Sequence, residues 1–112
     1  MSACHNVCSR QYQQAAKLIG KRWVPLILKV LLSGSKHFTQ IEEQIEGLSS
    51  RVLSERLKGL EQERIIERRV FADIPVRIEY CLTEKGYALE EVITAIEHWS
   101  IDWLSQETGE LH

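Results

Sequence analysis

Residues 48–66 read LSSRVLSERLKGLEQERII, and the reading of this stretch decides the fold. Leu53, Leu57 and Leu60 fall at i, i+4 and i+7, a narrow apolar stripe on a helix that must pack against a core. The opposite side of such a helix carries Arg51, Ser54, Glu55, Lys58 and Gln62. These side chains hydrogen-bond and two are cationic, which suits a helix lying against a polar partner. Ser49 or Ser50 can cap its first turn, and Gly47 stands just before it, where a tight turn belongs. A short capped helix entered through a glycine turn is what the second helix of a helix-turn-helix requires. Taken alone, the segment fits an ordinary surface helix equally well, with Arg51 and Glu55 pairing across one turn in solvent.

The flanking segments shift that balance. Thr39-Gln40-Ile41-Glu42 matches a capping box, and Ile41, Ile45 and Leu48 continue at i, i+4, i+7. This predicts a helix of about eight residues running to Glu46, joined to the next through Gly47. Upstream, residues 23–32 (WVPLILKVLL) are apolar on nearly every side, with Pro25 in the first turn and Ser33-Gly34-Ser35 as the stop. That helix should be the buried centre of the domain. Residues 8–21 read as a first helix with Tyr12, Ala15, Ala16 and Ile19 on one side, Ser9 as N-cap and Gly20 as stop.

Downstream of Glu63 the period changes to two. Val76, Ile78, Tyr80 and Leu82 alternate with Arg77, Glu79, Cys81 and Thr83, a half-buried strand that leaves Cys81 on its polar, partly exposed side. Residues 65–71 (IIERRVF) supply its partner and Ala72-Asp73-Ile74-Pro75 the loop. A hairpin directly after the second helix of a helix-turn-helix is a wing. Thr83 can cap a long last helix, in which Leu89, Val92, Ile96, Trp99 and Trp103 follow 3-4-3-4 spacing. So small a domain has little left to cover two tryptophans at its end, so this seam reads as a dimer contact shared with the first helix. A core helix of the same subunit is the alternative. The expected fold is mainly α with a small β-hairpin: one winged helix-turn-helix domain over residues 1–112. Its helix-turn-helix falls at about 39–62, its wing at about 65–83 and its homodimerisation helices at about 9–20 and 84–106.

Composition sets bounds on function. A chain of 112 residues holds one modest core. It has no apolar run of membrane-spanning length and no apolar signal segment at MSACHNVC, so a cytoplasmic location is expected, away from membranes. Three cysteines make no disulfide framework. The net charge of −2 at first argues against nucleic acid, but its distribution does not. Residues 1–41 carry +6, residues 42–83 carry −2 and residues 84–112 carry −6, so a basic surface can form locally. No nucleophile–base set, phosphate-binding glycine loop or paired carboxylates point to an enzyme, and nothing calls for a cofactor. His98 shares its helix with Glu91, Glu97 and Asp102, which a solvated face explains.

A helix in the major groove reads bases with residues near its N-terminus. Arg51 is the leading candidate, because a guanidinium can grip guanine O6 and N7 bidentately. Ser49, Ser50 and Ser54 can bond a base edge or phosphate, and Lys58, further along, suits a phosphate. Thr39 and Gln40 open the preceding helix, where free N–H groups favour an anion. In the wing Arg77 and Arg69 can reach backbone or minor groove, and Lys36 and His37 are weaker candidates. Cys8 stands just before a helix N-terminus with Arg10 beside it and no acid in the first 41 residues, conditions that favour a reactive thiolate. A small apolar cysteine under the helix is the plainer alternative. Cys4, His5 and Cys8 are also close enough to hold a soft ion such as Zn²⁺, but supply just three ligands.

Four pieces of the chain resemble the HxlR-type transcriptional regulators, bacterial winged-helix proteins related to the MarR group: LIGKRW (18–23), LILKVL (26–31), LSSRVLSERLKGLE (48–61) and PVRIEYCLTEKG (75–86). They span most of the chain in the family's order and spacing. The resemblance implies dimeric binding to double-stranded DNA at a pseudo-palindromic operator and control of neighbouring genes. In some members it implies sensing of oxidants or electrophiles through an N-terminal thiol. Cys8 is the nearest match, a residue or two further from Trp23 than the family's spacing. A winged-helix module used for protein contacts, docking through Trp99 and Trp103, is the competing class, as is a metal-responsive regulator.

Overall fold

A computed structural model describes residues 7–104. Helices α1 (Arg10–Ile19), α2 (Val24–Leu31), α3 (Phe38–Gln44) and α4 (Ser50–Gln62) lead into an antiparallel hairpin, β1 (Ile66–Phe71) and β2 (Arg77–Leu82). The short α5 (Glu84–Tyr87) and the longer α6 (Glu90–Trp103) follow. This is a mainly helical winged helix-turn-helix.

The core forms around α2, whose Val24, Ile27, Leu28 and Leu31 are buried. They meet Ile41, Ile45 and Leu48 from α3 and its turn, the Leu53–Leu57–Leu60 stripe of α4, then Ile65, Ile66, Leu82 and Ile93. Each fully buried leucine contributes about 1.5–3 kcal/mol, so the α4 stripe anchors the helix and turns its polar side outward. The all-apolar α2 is not wholly enclosed, since Leu26 is exposed and Lys29 reaches solvent.

The turn before α4 depends on Gly47, whose φ of 87° is reached by few other residues. A Cβ there would also lie 3.5 Å from the Trp23 ring. Trp23 itself has φ 79° at the entry to α2, with Arg22 stacked over its indole at 4.7 Å. Arg56 of α4 donates through Nε to the Arg22 carbonyl at 3.0 Å. The LIGKRW segment thus fastens α2 to the helix-turn-helix at two points.

Several local expectations are corrected. The N-cap of α3 is His37, not Thr39: the Gln40 Oε1 accepts from the His37 N–H at 2.7 Å, so the reciprocal contact sits two residues earlier. That helix stops at Gln44 because Ile45 turns extended, φ −124°, before Leu48 enters the core. The last helix is not continuous over 84–106. Thr83 does cap it, accepting from Gly86 N at 3.1 Å, but Leu89 N bonds to Gly86 O and not one residue further back. This tightened turn ends α5 and redirects α6 across α2. Residues 105–106 of the expected span lie outside the described residues. Cys81 is buried, at 6% exposure, because its Sγ lies under Glu67, 3.9 Å from both its carbonyl and its carboxylate. Cross-strand cover, invisible to simple alternation, closes that face.

Lys36 adds a third strand position unseen in the sequence pattern. Its N–H donates to Tyr80 O at 3.0 Å, and Tyr80 N donates back to Lys36 O at 2.8 Å. The His37 ring nitrogen Nδ1 lies 3.1 Å from Ile78 O. The start of the helix-turn-helix is therefore sewn to the wing.

Candidate nucleic-acid interface

The polar side of α4 is built from its first turn. Ser49 is the N-cap, its hydroxyl accepting from Val52 N at 3.2 Å. The Ser50 hydroxyl donates to the Glu42 carboxylate of α3. Two of the three serines proposed as DNA contacts are thus already engaged in holding the helix start. Arg51, one residue on, has 83% of its side chain exposed and meets Glu55 at a loose 3.5 Å. An exposed i,i+4 pair of that length contributes a fraction of a kcal/mol, so the guanidinium is readily given up to a stronger anion. Ser54 and Lys58 are exposed on the same side, and Lys58 has no ion pair among the described residues.

The remaining candidates divide. Thr39 is exposed in the first turn of α3, while Gln40 spends its amide oxygen on the His37 N–H. The Lys36 ammonium is folded back onto Ser33 Oγ at 2.9 Å and Gly34 O at 3.2 Å. In the wing Arg69 pairs with Glu67 at 3.1 Å. Arg77 pairs with Asp73 at 3.3 Å and Glu79 at 3.5 Å, and stacks on Phe71 at 4.2 Å. Sequence reasoning missed Arg68, an exposed guanidinium without an ion pair among the described residues. Strand alternation was the available signal, since it sends Arg68 and Arg69 to opposite faces.

Cys8 is exposed beside the capping Ser9, and its carbonyl accepts from Gln13 Nε2 at 2.9 Å. It is therefore not the apolar cysteine packed under α1. Burial pushes the Cys81 thiol up, with Arg69 pulling it the other way. Cys4 and His5 lie outside the described residues, so the three-ligand metal site finds no geometry here.

Helix α6 has two apolar sides. Ile93 enters the core, Leu89 packs against it, and Glu97 bonds Lys29 of α2 at 2.8 Å. That ammonium holds the Glu97 carboxyl below its ordinary range. Val92, Ile96, Trp99 and Trp103 point away from the core, the two tryptophans 58% and 64% exposed. Helix α1 buries no side chain completely and leaves Tyr12 in solvent.

Fold and site together define a winged helix-turn-helix protein of the transcription-regulator type. The chain belongs to the HxlR-like helix-turn-helix family, whose model matches residues 18–108. Two regulators of Bacillus subtilis (strain 168) are among its relatives. The HTH-type transcriptional regulator YodB is 44% identical over 95 residues, covering 85% of each chain. The uncharacterized HTH-type regulator YvaP is 47% identical over 98 residues, 88% of this chain and 90% of that one. The solved structure of reduced YodB superposes with a TM-score of 0.77 at 43% identity, over 85% of this chain and 93% of that one. The redox regulator HypR in its oxidized form gives 0.77 at 27% identity, over 80% of this chain and 93% of that one. Among the described residues no helix is long and apolar enough to cross a membrane.

Proposed function

We propose that the protein is a homodimeric transcription regulator that binds a pseudo-palindromic operator through α4 and changes its hold on DNA when Cys8 is oxidised or alkylated. The observation that carries this reading is the polarity of α4. Its leucines are locked in the core while Arg51, Ser54 and Lys58 face outward on a helix entered through the Gly47 turn. An α-helix presented this way fits the major groove, with its N-terminal residues at the base edges. Its partners on DNA are Arg51 at a base and Lys58 at a phosphate.

Dimerisation is supported by the exposed apolar row Val92–Ile96–Trp99–Trp103 and by the unburied α1, surfaces a second copy can cover. Two copies related by a two-fold axis read two inverted half-sites. The thiol part rests on the exposure of Cys8 at the start of α1 and on the redox states in which YodB and HypR have been solved. An oxidant or electrophile in the cytoplasm would act at that sulfur.

Gel shifts on the DNA upstream of the protein's own gene test both parts. Reduced wild-type protein should retard the duplex in a salt-sensitive way. Diamide treatment should change that retardation, and Cys8→Ser should bind alike in both lanes. Absence of any shift at low salt would leave a protein-contact module as the better reading. Identical shifts for oxidised and reduced wild type would remove the thiol switch and leave the regulator.

A further inference from the structure

We infer that Arg68, and neither Arg69 nor Arg77, is the wing residue that grips the DNA backbone. This rests on the DNA-binding reading above and deepens it. The hairpin register pairs Ile66 with Leu82, Arg68 with Tyr80, and Val70 with Ile78. Side chains alternate across a strand, so these six share one face. Ile66 and Leu82 of that face are buried against the leucines of α4 and the rest of the core. The face of Arg68 is therefore the one that looks toward the helix-turn-helix. Beyond the core, its outer part overlooks the gap between wing and α4.

When a recognition helix fills a major groove and a wing reaches the neighbouring minor groove, the intervening sugar-phosphate strand must pass through that gap. Arg68 stands on it, exposed, without an ion pair among the described residues and with no carboxylate on its own hairpin face.

The opposite face carries Glu67, Arg69, Phe71, Arg77, Glu79 and Cys81. Both of its arginines are spent: Arg69 on Glu67, Arg77 on Glu79, on Asp73 of the loop and on the Phe71 ring. A phosphate approaching this side would meet three carboxylates against two cations and would have to break existing pairs. Charge therefore directs the Arg68 face to the DNA.

The test needs no knowledge of the operator. Full-length wild type, Arg68→Ala, Arg68→Lys, Arg69→Ala, Arg77→Ala and Lys58→Ala are titrated against a random-sequence 30-base-pair fluorescent duplex across a range of salt. Arg68→Ala should weaken binding roughly three- to tenfold and reduce the log–log salt slope by about 0.9, the signature of one lost phosphate contact. Arg68→Lys should restore most of the slope, and Arg69→Ala and Arg77→Ala should stay within about twofold of wild type. Thermal melts of each variant separate loss of contact from loss of fold. Unchanged binding by a folded Arg68→Ala, or a larger loss in Arg69→Ala or Arg77→Ala, would overturn the assignment while Lys58→Ala still reports the α4 contact. Wild type that binds no duplex at any salt would overturn the DNA-binding reading and this assignment with it.

Discussion

At the scale of single residues, exposure and prior engagement separate candidates that look alike as letters. Arg51 and Lys58 lie on the same side of α4, yet their expected roles differ. Arg51 stands in the first turn, free but for a loose pair with Glu55, where a guanidinium can reach a base edge. Arg51→Ala should cost about 1–3 kcal/mol on the cognate site and relax preference at one base pair. Lys58→Ala should weaken binding to every sequence and flatten its salt dependence. Competition titrations with cognate and random duplexes distinguish the two, and equal losses on random DNA would contradict base reading by Arg51. Ser49 and Ser50 illustrate the converse, since a hydroxyl already capping a helix or bonded to Glu42 has less to offer a base.

At the scale of elements, one close approach holds the wing, the end of α4 and α5 in register. The Thr83 hydroxyl donates to Arg64 O at 2.6 Å, and Thr83 N donates to Ile65 O at 3.0 Å. Gly86 lies against the same Ile65 carbonyl, where a Cβ would come within 2.2 Å of the oxygen. Gly86→Ala must therefore push α5 off the base of the hairpin. A loss of about 1–3 kcal/mol is expected, measurable as a lower urea midpoint with an unchanged slope. A variant as stable as wild type would show that α5 is free to shift. The glycine and threonine were visible in the LTEKG motif, but the carbonyl they serve lies about twenty residues earlier and could not be read from spacing. The same division holds throughout. Periodicity located the α4 stripe, the buried α2 and the hairpin, because each is set by a repeat within one segment. The burial of Cys81, the Lys36–Tyr80 bridge and the seating of the His37 ring against Ile78 O each depend on a partner distant in the chain, while the break at Leu89 is a local turn that the apolar spacing does not register. For the candidate site, residue types and the face of α4 were legible. Which arginines are already paired was not: Arg69–Glu67, Arg77–Asp73 and Arg77–Glu79 join residues two to four apart, where spacing allows a pair without requiring it, and the Arg77–Phe71 stack needs the hairpin register.

At the scale of the whole molecule, the apolar surface of α6 sets the expected assembly. Trp99 and Trp103 extend one row with Val92 and Ile96 on the side facing away from Ile93 and Lys29. Replacing both tryptophans with aspartate should yield a folded monomer in sedimentation velocity. Its affinity for a two-half-site operator should fall toward that for a single half-site, since the linked second contact is lost. A dimer that survives both changes would place the interface elsewhere.

The bridge between Lys36 and Tyr80 has a consequence for how such a machine can be switched. With helix-turn-helix and wing sharing both a core and a strand pairing, each reading head moves as one piece. A signal arriving at the start of α1 has little scope to loosen the grip within a head. It can act by changing the span between two heads, and duplex DNA measures that span strictly: inverted half-sites repeat at roughly 34 Å. On the proposed dimer, the ruler would be the pair of heads, and modification of the exposed Cys8 at the start of α1 would change the length that the DNA accepts.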